Sequence, residues 1–462
     1  MQYEEAVRYL LTLGRELAAP SHTRAAKFDL LNITVLAERL GHPERRYPSA
    51  HVAGTNGKGS TAAMLESMLR AAGLRTGLYT SPHLERINER IRVNGEEISD
   101  AEFAETFTRL RLIIEELLAA GASAGGLAAH PSYFECLTAM AFDVFARREV
   151  EFAVFEVGMG GRLDSTNIIE PEVAVITQID FDHEAFLGHS IEEIAGEKAG
   201  IIKPGAWVVS AAGNPEARRV IARRCAEQNA RLVDIDEMFH VEHLRAEGGC
   251  YRAKVSARDS AFSIEVALPL PGRFQVRNAV TAIGAARLLA ERGFPIDGAA
   301  IAKGIATVRW PGRLERVNEH PAVFLDGTHN PAGARELLAF WQEHFEGRRI
   351  VLVYGAMRDK AVDEITGLLF PCAARIIVTQ PKQPRAISAA ALAEMTGHLS
   401  ANIDVVEAPE EAMEKALALA GPDDVIFSTG SLYLVGDLRG WWNLRSAGLK
   451  AGERPATGRP SI

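Results

Sequence analysis

Apolar and polar residues follow a strand, loop and helix pattern in the N-terminal half of the chain. The run SAHVAG is short, apolar and ends in glycine, and STAAMLESMLRAAG then places apolar residues at i, i+3 and i+4 before another glycine. Two further apolar runs, VEFAVFEVG and PEVAVITQI, are typical of strands buried on both faces of a parallel sheet. The pattern therefore predicts an α/β unit built on a mostly parallel sheet.

The pattern changes twice in the second half. Residues 250–270 alternate more strictly, which predicts a small antiparallel element, and a helix follows in FQVRNAVTAIGAARLLAERG. At RWPGRLE, residues 309–315, Pro and Gly mark a second change. Beyond it, strand-like runs such as RIVLVYGAM and ARIIVTQP alternate with helical stretches. These runs predict a smaller α/β unit, similar to a dinucleotide-binding fold that lacks the G-x-G-x-x-G fingerprint.

We therefore predict an α/β protein with two domains. The first, over residues 1–308, is a mostly parallel sheet domain of P-loop type that carries the antiparallel element. The second, over residues 309–445, is Rossmann-like. Residues 446–462 are small, polar and contain Pro and Gly, so we expect a disordered tail. A length of 462 residues fits two domains better than one.

Composition and charge narrow the class of protein. The formal net charge of −9 argues against a non-specific nucleic-acid binder, which needs a basic face. The four cysteines form no C-x-x-C pair, so neither a zinc site nor a disulfide framework is predicted. The N-terminus has no basic segment followed by an apolar core, and no run of 18 apolar residues occurs. We expect a cytoplasmic protein with no membrane partner.

The stretch HVAGTNGKGST, residues 51–61, is the first candidate site. It lies between a predicted strand and a predicted helix, where backbone N–H groups converge on an anion. Lys58 would supply charge to the outer phosphates, and Ser60 or Thr61 would reach a magnesium ion. The usual nucleotide loop has four residues between its first Gly and the Gly-Lys pair, whereas only two separate Gly54 from Gly57. We predict a shortened phosphate-binding loop.

Polar residues at two strand ends form a second candidate site. Glu156 ends an apolar run, and Asp182 and His183 follow the next one. Side chains at the carboxyl ends of parallel strands face the crevice where ligands bind, so these groups are candidate magnesium ligands. The polar segment YTSPHLERINERIRVNGEEIS holds Ser81 and Arg86 and is either a solvated loop or part of this site. We take Arg86 as a candidate substrate contact.

These motifs together resemble a known family. From about residue 20 to residue 440 the chain is similar to the folylpolyglutamate synthase and dihydrofolate synthase family, a branch of the Mur-type ATP-dependent amide ligases. The resemblance rests on GTNGKGS, TSPHLERINERI, EVGMGGRLDSTN, DHEAFLG, EKAGIIK, RNAVTA, WPGRLE and LDGTHNP. Ligases of this family hold ATP in a shortened loop of the same kind.

The resemblance implies a role for each matching residue. The ATP-binding positions are Gly54, Thr55, Asn56, Gly57, Lys58, Gly59, Ser60, Asn278, Arg313 and Asp326. The positions near magnesium are Ser60, Ser81, Glu156, His183 and Lys198, the last of these in carbamylated form and beside a second ion. The substrate positions are Asp164 for the pterin and Ser428 and Ser431 for glutamate. Lys58, Lys198, Asp326 and His329 would take part in catalysis.

The reaction implied is ATP-dependent ligation of L-glutamate to dihydropteroate, to folyl(poly)glutamate, or to both, through an acyl phosphate. We expect ATP, two Mg²⁺ ions and small-molecule substrates, and a monomer. Three alternatives stay open: a Mur-type ligase for another carboxylate, a P-loop kinase or ATPase, and a nucleotide-binding module without catalysis. A module without catalysis would be expected to lose Glu156, His183 or Lys198, and all three are present.

Overall fold

The structure is a computed structural model that describes residues 1–13, 29–247 and 249–448. From residue 449 onward, the segment predicted to be a disordered tail lies outside the described residues. None of the helices in the described ranges is long and apolar enough to cross a membrane.

Seventeen strands in the described residues form three sheets. The strands are β1 (Ser49–Ala53), β2 (Thr76–Tyr79), β3 (Ile91–Val93), β4 (Glu96–Glu97), β5 (Phe152–Glu156), β6 (Val173–Ile176), β7 (Trp207–Ser210), β8 (Arg231–Asp234), β9 (Phe239–Glu247), β10 (Cys250–Ala257), β11 (Ser263–Leu268), β12 (Glu315–Glu319), β13 (Ala322–Leu325), β14 (Ile350–Tyr354), β15 (Arg375–Val378), β16 (Ile403–Val405) and β17 (Val425–Thr429).

Sixteen α-helices accompany them in the same residues. They are α1 (Tyr3–Thr12), α2 (Leu31–Arg39), α3 (Lys58–Ala71), α4 (Asp100–Ala120), α5 (Tyr133–Arg147), α6 (Glu184–Leu187), α7 (Ile191–Ala199), α8 (Pro215–Glu227), α9 (Ile235–Met238), α10 (Arg273–Glu291), α11 (Gly298–Thr307), α12 (Pro331–His344), α13 (Val362–Leu369), α14 (Ala389–Thr396), α15 (Pro409–Leu419) and α16 (Leu432–Ser446).

The largest sheet has the order β4-β3-β2-β5-β1-β6-β7-β8. Its six strands from β2 to β8 are parallel, and β3 and β4 add an antiparallel edge. Every residue of β1, β5 and β6 is buried, because helices cover both faces of the sheet. One face packs against α3, α10 and α11, and the other against α4 and α5. The predicted mostly parallel sheet is confirmed.

Two smaller sheets complete the fold. Strands β9, β10 and β11 form an antiparallel sheet that packs on α10 and α11. The third sheet has the order β12-β13-β17-β14-β15-β16, in which all strands except β12 are parallel. The predicted α/β class, with an antiparallel element and a second α/β unit, is confirmed.

The connection between α11 and β12 contains the predicted domain boundary at residue 309. We retain this boundary as a proposal and refer to residues 1–308 as the N-terminal part and residues 309–445 as the C-terminal part. The carboxyl ends of β1, β5 and β6 meet where the chain crosses from one side of β1 to the other. Ligands bind at such switch points in open α/β sheets. The expected site is therefore at this edge.

Candidate active site

The phosphate loop connects β1 to α3. Gly54 has φ +148° and Gly57 has φ +86°, a region that favours glycine, and α3 begins directly afterwards at Lys58. A Cβ on Gly54 would collide with Thr177, and one on Gly57 would collide with Asn278. Residues 57–60 at the start of α3 line the cleft, so the N-terminus of this helix is placed where an anion could bind.

Lys58 is folded back onto its own loop. Its Nζ donates hydrogen bonds to the carbonyl oxygens of Gly54 and Thr55, each at 3.0 Å. Burial lowers the pKa of Lys58, although the carboxylates of Glu156 and Asp182 act in the opposite direction. The ammonium group thus lies beside the loop without a direct carboxylate partner among the described residues, where an incoming phosphate could take over the contacts that the two carbonyls now make.

The two hydroxyls that follow Lys58 are placed differently. Ser60 lines the cleft, and its Oγ lies 3.3 Å from Nε2 of Gln275. Thr61 is fully buried, and its Oγ1 has no hydrogen-bond partner among the described residues. Asn278 also lines the cleft, donating through Nδ2 to Gln275 Oε1 at 2.9 Å. Ser60 is therefore the better candidate for a magnesium or phosphate contact, and we drop Thr61.

Glu156 lies at the carboxyl end of β5, 4% exposed, and lines the cleft. Its Oε2 accepts a hydrogen bond from the backbone N–H of Ser81 at 3.1 Å. Burial raises the pKa of Glu156 to about 7, and the charge of Lys58 offsets part of this effect. A carboxylate kept out of water in this way favours a cation beside it.

Asp182 and His183 follow β6 and meet side chains of the C-terminal part. Lys360 Nζ lies 2.8 Å from Asp182 Oδ1 and 3.5 Å from His183 Nε2, and His329 Nε2 lies 3.7 Å from Asp182 Oδ2. Burial alone would raise the pKa of Asp182, but nearby His329 and Lys360 hold it well below its usual range. Burial and Lys360 lower the pKa of His183 to about 3. His183 is therefore a neutral imidazole, the form that can ligate a metal.

Lys198 lies on α7, is 4% exposed and lines the cleft. Its Nζ donates to the carbonyl oxygen of Gly54 at 2.9 Å. Burial and the charge of Lys58 lower the pKa of Lys198 to about 7. This burial does not agree with a surface lysine paired with Glu193 or Glu197.

The segment after β13 brings the C-terminal part to the cleft. Asp326 is buried, and its carboxylate accepts hydrogen bonds at 3.0 Å from the backbone N–H groups of Leu314 and Thr328. His329 Nδ1 lies 2.8 Å from the carbonyl oxygen of Gly327. Arg313 also lines the cleft, and burial lowers its pKa despite nearby Asp326. These side chains face the phosphate loop across one cavity.

Two of the four predicted substrate residues, Asp164 and Ser431, line the cleft. Asp164 lines the cleft, but its Oδ1 accepts from N and Oγ1 of Thr166 and its Oδ2 from N of Met159. It therefore stabilises its own loop in addition to any substrate role. Ser431 lines the cleft and caps α16 through a hydrogen bond from Tyr433 N.

Two predicted substrate contacts lie outside the cleft. Ser428 is fully buried inside β17, because its side chain points into the core of the C-terminal sheet. Arg86 forms an ion pair with Asp100 on the surface, and its side chain is 51% exposed. We therefore withdraw both residues as substrate contacts.

The cavity has a volume of about 960 Å³ and is lined by residues of both parts of the chain. Within residues 1–13, 29–247 and 249–448, no three His, Cys, Asp or Glu side chains are grouped so that they could hold a metal ion by themselves. A magnesium ion here would also need hydroxyl, water or phosphate oxygens, which is how Mg²⁺ is usually bound beside a nucleotide.

Sequence reasoning missed Lys360 and Asn330. Lys360 lies six positions beyond the end of β14, and the rule that identified Glu156 from a strand end would have found it if applied to the C-terminal part. Asn330 caps α12 and lies in the LDGTHNP motif, yet only its neighbours Asp326 and His329 were assigned.

Comparisons with known proteins agree with this geometry. Residues 52–286 match the Mur ligase middle domain, and residues 312–432 match the Mur ligase, glutamate ligase domain. The chain is 39% identical over 409 residues to a Bacillus subtilis dihydrofolate synthase/folylpolyglutamate synthase, covering 87% of this chain and 92% of the relative. It is 34% identical over 445 residues to a folylpolyglutamate synthase of Lacticaseibacillus casei, covering 95% and 98%.

Solved structures show the same similarity. A Mycobacterium tuberculosis folylpolyglutamate synthase complexed with ADP and AMPPCP superposes with a TM-score of 0.84 at 36% identity, covering 95% of this chain and 99% of the other. An Escherichia coli protein in complex with DHPP and ADP superposes with a TM-score of 0.82 at 30% identity, covering 96% and 100%.

Proposed function

The chain belongs to the folylpolyglutamate synthase and dihydrofolate synthase family of Mur-type ATP-dependent ligases, and we propose that its central cleft joins L-glutamate to dihydropteroate, to folates, or to both. One observation carries the assignment of the cleft: a single cavity is lined by the phosphate loop and Glu156 of the N-terminal part and by Asp326 and His329 of the C-terminal part. A site assembled from both parts suits a reaction with three substrates.

A carboxylate is a poor electrophile, so it must first gain a leaving group. In the proposed reaction the substrate carboxylate attacks the γ-phosphorus of ATP and releases ADP, which forms an acyl phosphate. The amine of L-glutamate, in its neutral form, then attacks the acyl carbon, and phosphate leaves as the amide forms. Lys58 and the N-terminus of α3 would hold the phosphates, where catalysis depends mainly on positioning and electrostatics.

Further residues would orient the nucleotide and the folate. Asn278 and Arg313 line the cleft beside the phosphate loop and are proposed nucleotide contacts, as is Asp326. Asp164 is the proposed pterin contact and Ser431 a proposed glutamate contact. His329 lines the cavity 3.7 Å from Asp182, where it could position the incoming amine.

Magnesium fits this donor set. Glu156 is a buried carboxylate with a raised pKa, Ser60 and Ser81 line the same cavity, and His183 is a neutral imidazole. We propose that these residues hold the ion together with phosphate oxygens, and that the ion would neutralise charge on the transferring phosphoryl group.

Lys198 fits carbamylation. The reaction with carbon dioxide requires a free amine, and a pKa of about 7 leaves a large fraction of Lys198 unprotonated at neutral pH. The carbamate carries a negative charge, so it could join in holding a second magnesium ion, which an ammonium group would repel. We propose this modification as the role of Lys198.

A kinase or ATPase would use the same loop, but it would not need Asp326, His329 and Lys360 of the C-terminal part in the cleft. The deciding experiment measures phosphate release with dihydropteroate and with tetrahydrofolate, each with and without L-glutamate. We expect release that depends on both the folate substrate and L-glutamate, and the two substrates would show which activities the enzyme has. Release that is independent of L-glutamate would favour the kinase or ATPase. The monomeric state and the cytoplasmic location stay predictions.

A further inference from the structure

Two amide side chains meet across the two parts of the chain, beside the phosphate loop. Asn330 Nδ2 donates to Asn56 Oδ1 at 2.8 Å, and Asn56 Nδ2 donates to Asn330 Oδ1 at 3.2 Å. Each amide is therefore both donor and acceptor to the other. Asn330 is 3% exposed, so water competes little for these hydrogen bonds.

Asn330 fixes the start of α12 on the C-terminal side. Its Oδ1 also accepts from the backbone N–H of Gly333 at 2.8 Å, which caps the helix, and its Nδ2 lies 3.5 Å from Asp182 Oδ2. His329 directly precedes it in the chain, and Asp326 is four positions earlier. A shift of Asn330 would therefore move both proposed catalytic residues of the C-terminal part.

The phosphate loop does not need the side chain of Asn56 for its own shape. The loop backbone is held by Thr177 Oγ1, which donates to the carbonyl oxygen of Asn56 at 2.7 Å, and by Thr55 N, which donates to Gln178 O at 2.8 Å. Among the described residues, hydrogen bonds of the Asn56 side chain go to Asn330 alone. The side chain of Asn56 is therefore free to form hydrogen bonds that depend on the position of the C-terminal part.

We propose that Asn56 and Asn330 form a positioning contact that locks the C-terminal part onto the phosphate loop, so that Asp326 and His329 reach the phosphoryl group only in the closed arrangement. This inference rests on the proposed function, because one of its tests measures the kcat of the glutamate-dependent reaction. It assigns to Asn56 a role that differs from direct contact with ATP: the pair serves the step in which the amine meets the acyl phosphate.

The test is a double-mutant cycle with Asn56→Ser, Asn330→Ser and the double variant in the full chain. Serine at 330 is a good helix cap, so α12 keeps its cap, but the side chain is too short to reach Asn56. We expect each single variant to lower the glutamate-dependent kcat about tenfold. The double variant should be no slower than the slower single variant, because the pair acts as a unit. The KM for ATP should change less than about twofold.

Asn443→Ser is the matched control. Asn443 also bridges the two parts, with Nδ2 3.3 Å from Glu85 Oε1, but it is exposed and lies outside the cleft, so its loss should leave kcat unchanged. If the two single losses multiply in the double variant, so that their activation free energies add, the proposal is overturned. Unchanged kcat values in Asn56→Ser and Asn330→Ser would also overturn it. A fall in melting temperature that accounts for the whole loss of activity would also overturn it.

A second measurement does not require turnover. With a non-hydrolysable ATP analogue bound, small-angle X-ray scattering should give a larger radius of gyration for Asn56→Ser and Asn330→Ser than for the wild type and Asn443→Ser. Identical radii would overturn the proposal. A wild type with no glutamate-dependent phosphate release would instead contradict the proposed function, and scattering would still decide whether the pair closes the molecule.

Discussion

Burial favours the neutral form of several side chains in the cleft and shifts their pKa values accordingly. It raises the pKa of Glu156 to about 7, lowers that of Lys198 to about 7 and that of His183 to about 3, and also lowers that of Lys58. The nearby opposite charges offset only part of this effect. Charged ligands that enter the cleft would favour the ionised carboxylate and ammonium groups, so we expect their binding to be coupled to proton exchange.

Glu156 provides the first prediction. In the metal-free protein its pKa of about 7 exceeds the ordinary value of 4.5, so the folded state holds more protons between these pH values. Ionisation of Glu156 therefore lowers the free energy of unfolding as pH rises from about 4.5 to about 7. Glu156→Gln removes this cost, at about 1.4 kcal/mol per unit of pKa difference. Without magnesium, the wild type and Glu156→Gln should have the same melting temperature at low pH, and Glu156→Gln should melt at a higher temperature at pH 8.

The same variant should need much more magnesium for activity, because the amide keeps the shape of the side chain but loses the charge that holds a hard cation. Magnesium titrations of the two proteins at one pH would measure this. Overlapping curves would mean that Glu156 is not a ligand, whatever the melting curves show.

At this scale the sequence predicts residue types better than side-chain directions. Glu156 and His183 follow from their positions at strand ends. Ser60 and Thr61 are equivalent in the motif, and only the rotation of α3 decides that Thr61 faces the core. Ser428 fails for a related reason, since its position in β17 turns it away from the cleft, and Arg86 fails because Asp100 holds it at the surface.

The proposed phosphate loop is the turn between β1 and α3, and the sequence correctly predicted a strand and a helix on either side of it. Glycines at the ends of elements and apolar residues at helical spacing are local signals, so they can be recognised without the rest of the fold. Other elements depend on tertiary contacts. The antiparallel element begins at Phe239, before the predicted start at residue 250.

The second prediction concerns the start of α3. Gly57→Ala should abolish ATP binding, because it requires an L residue at φ +86° and places a methyl group against Asn278. Gly73→Ala is the matched control: its φ is +90°, yet a Cβ there meets nothing within 4 Å. Isothermal titration with ADP would measure both. Wild-type affinity for ADP in Gly57→Ala would contradict the prediction, as would an equal loss of affinity in Gly73→Ala, which lies at the other end of α3.

The third prediction concerns α7, which places Lys198 against the phosphate loop. If Lys198 acts as a carbamate, Lys198→Ala should be nearly inactive and partly rescued by acetate, which can occupy the vacated space. Lys203→Ala is the control, since Lys203 lies on the same segment and bonds to Asn167 O, and its activity should not respond to acetate. Ordinary activity in Lys198→Ala without any acetate effect would exclude a chemical role for this lysine.

At the scale of the whole molecule, the two parts of the chain are joined by contacts in the cleft and by contacts outside it. On the cleft side, Lys360 contacts Asp182 and Arg335 lies 3.3 Å from Asp180. Outside the cavity lining, Arg439 of α16 binds Glu85 of the N-terminal part. The sequence predicts that two units exist, but not these contacts, because partners far apart along the chain leave no periodic signal in a single sequence.

The last prediction tests the contact of Arg439 outside the cavity. Arg439 Nε lies 3.0 Å from both carboxylate oxygens of Glu315, and its Nη1 contacts Glu85. The backbone of Leu84 packs so closely on α16 that a Cβ at Gly436 would collide with its carbonyl oxygen. Arg439→Met would keep most of the side-chain length and leave two half-buried carboxylates facing each other without a cation. Because all three groups are partly exposed, we expect a loss of about 1 to 2 kcal/mol in the free energy of unfolding.

The dependence of this loss on pH and on a second substitution distinguishes repulsion from lost packing. Burial already raises the pKa of Glu85, and without Arg439 the pKa should rise further, so the penalty should be present at pH 8 and smaller at an acidic pH, where Glu85 is protonated. Adding Glu85→Gln to Arg439→Met should recover part of the stability at pH 8, since it removes one of the two unpaired charges. Denaturant unfolding of the wild type and the two variants at both pH values measures these effects. A loss that is equal at both pH values and not relieved by Glu85→Gln would show that Arg439 holds the two parts together by packing alone.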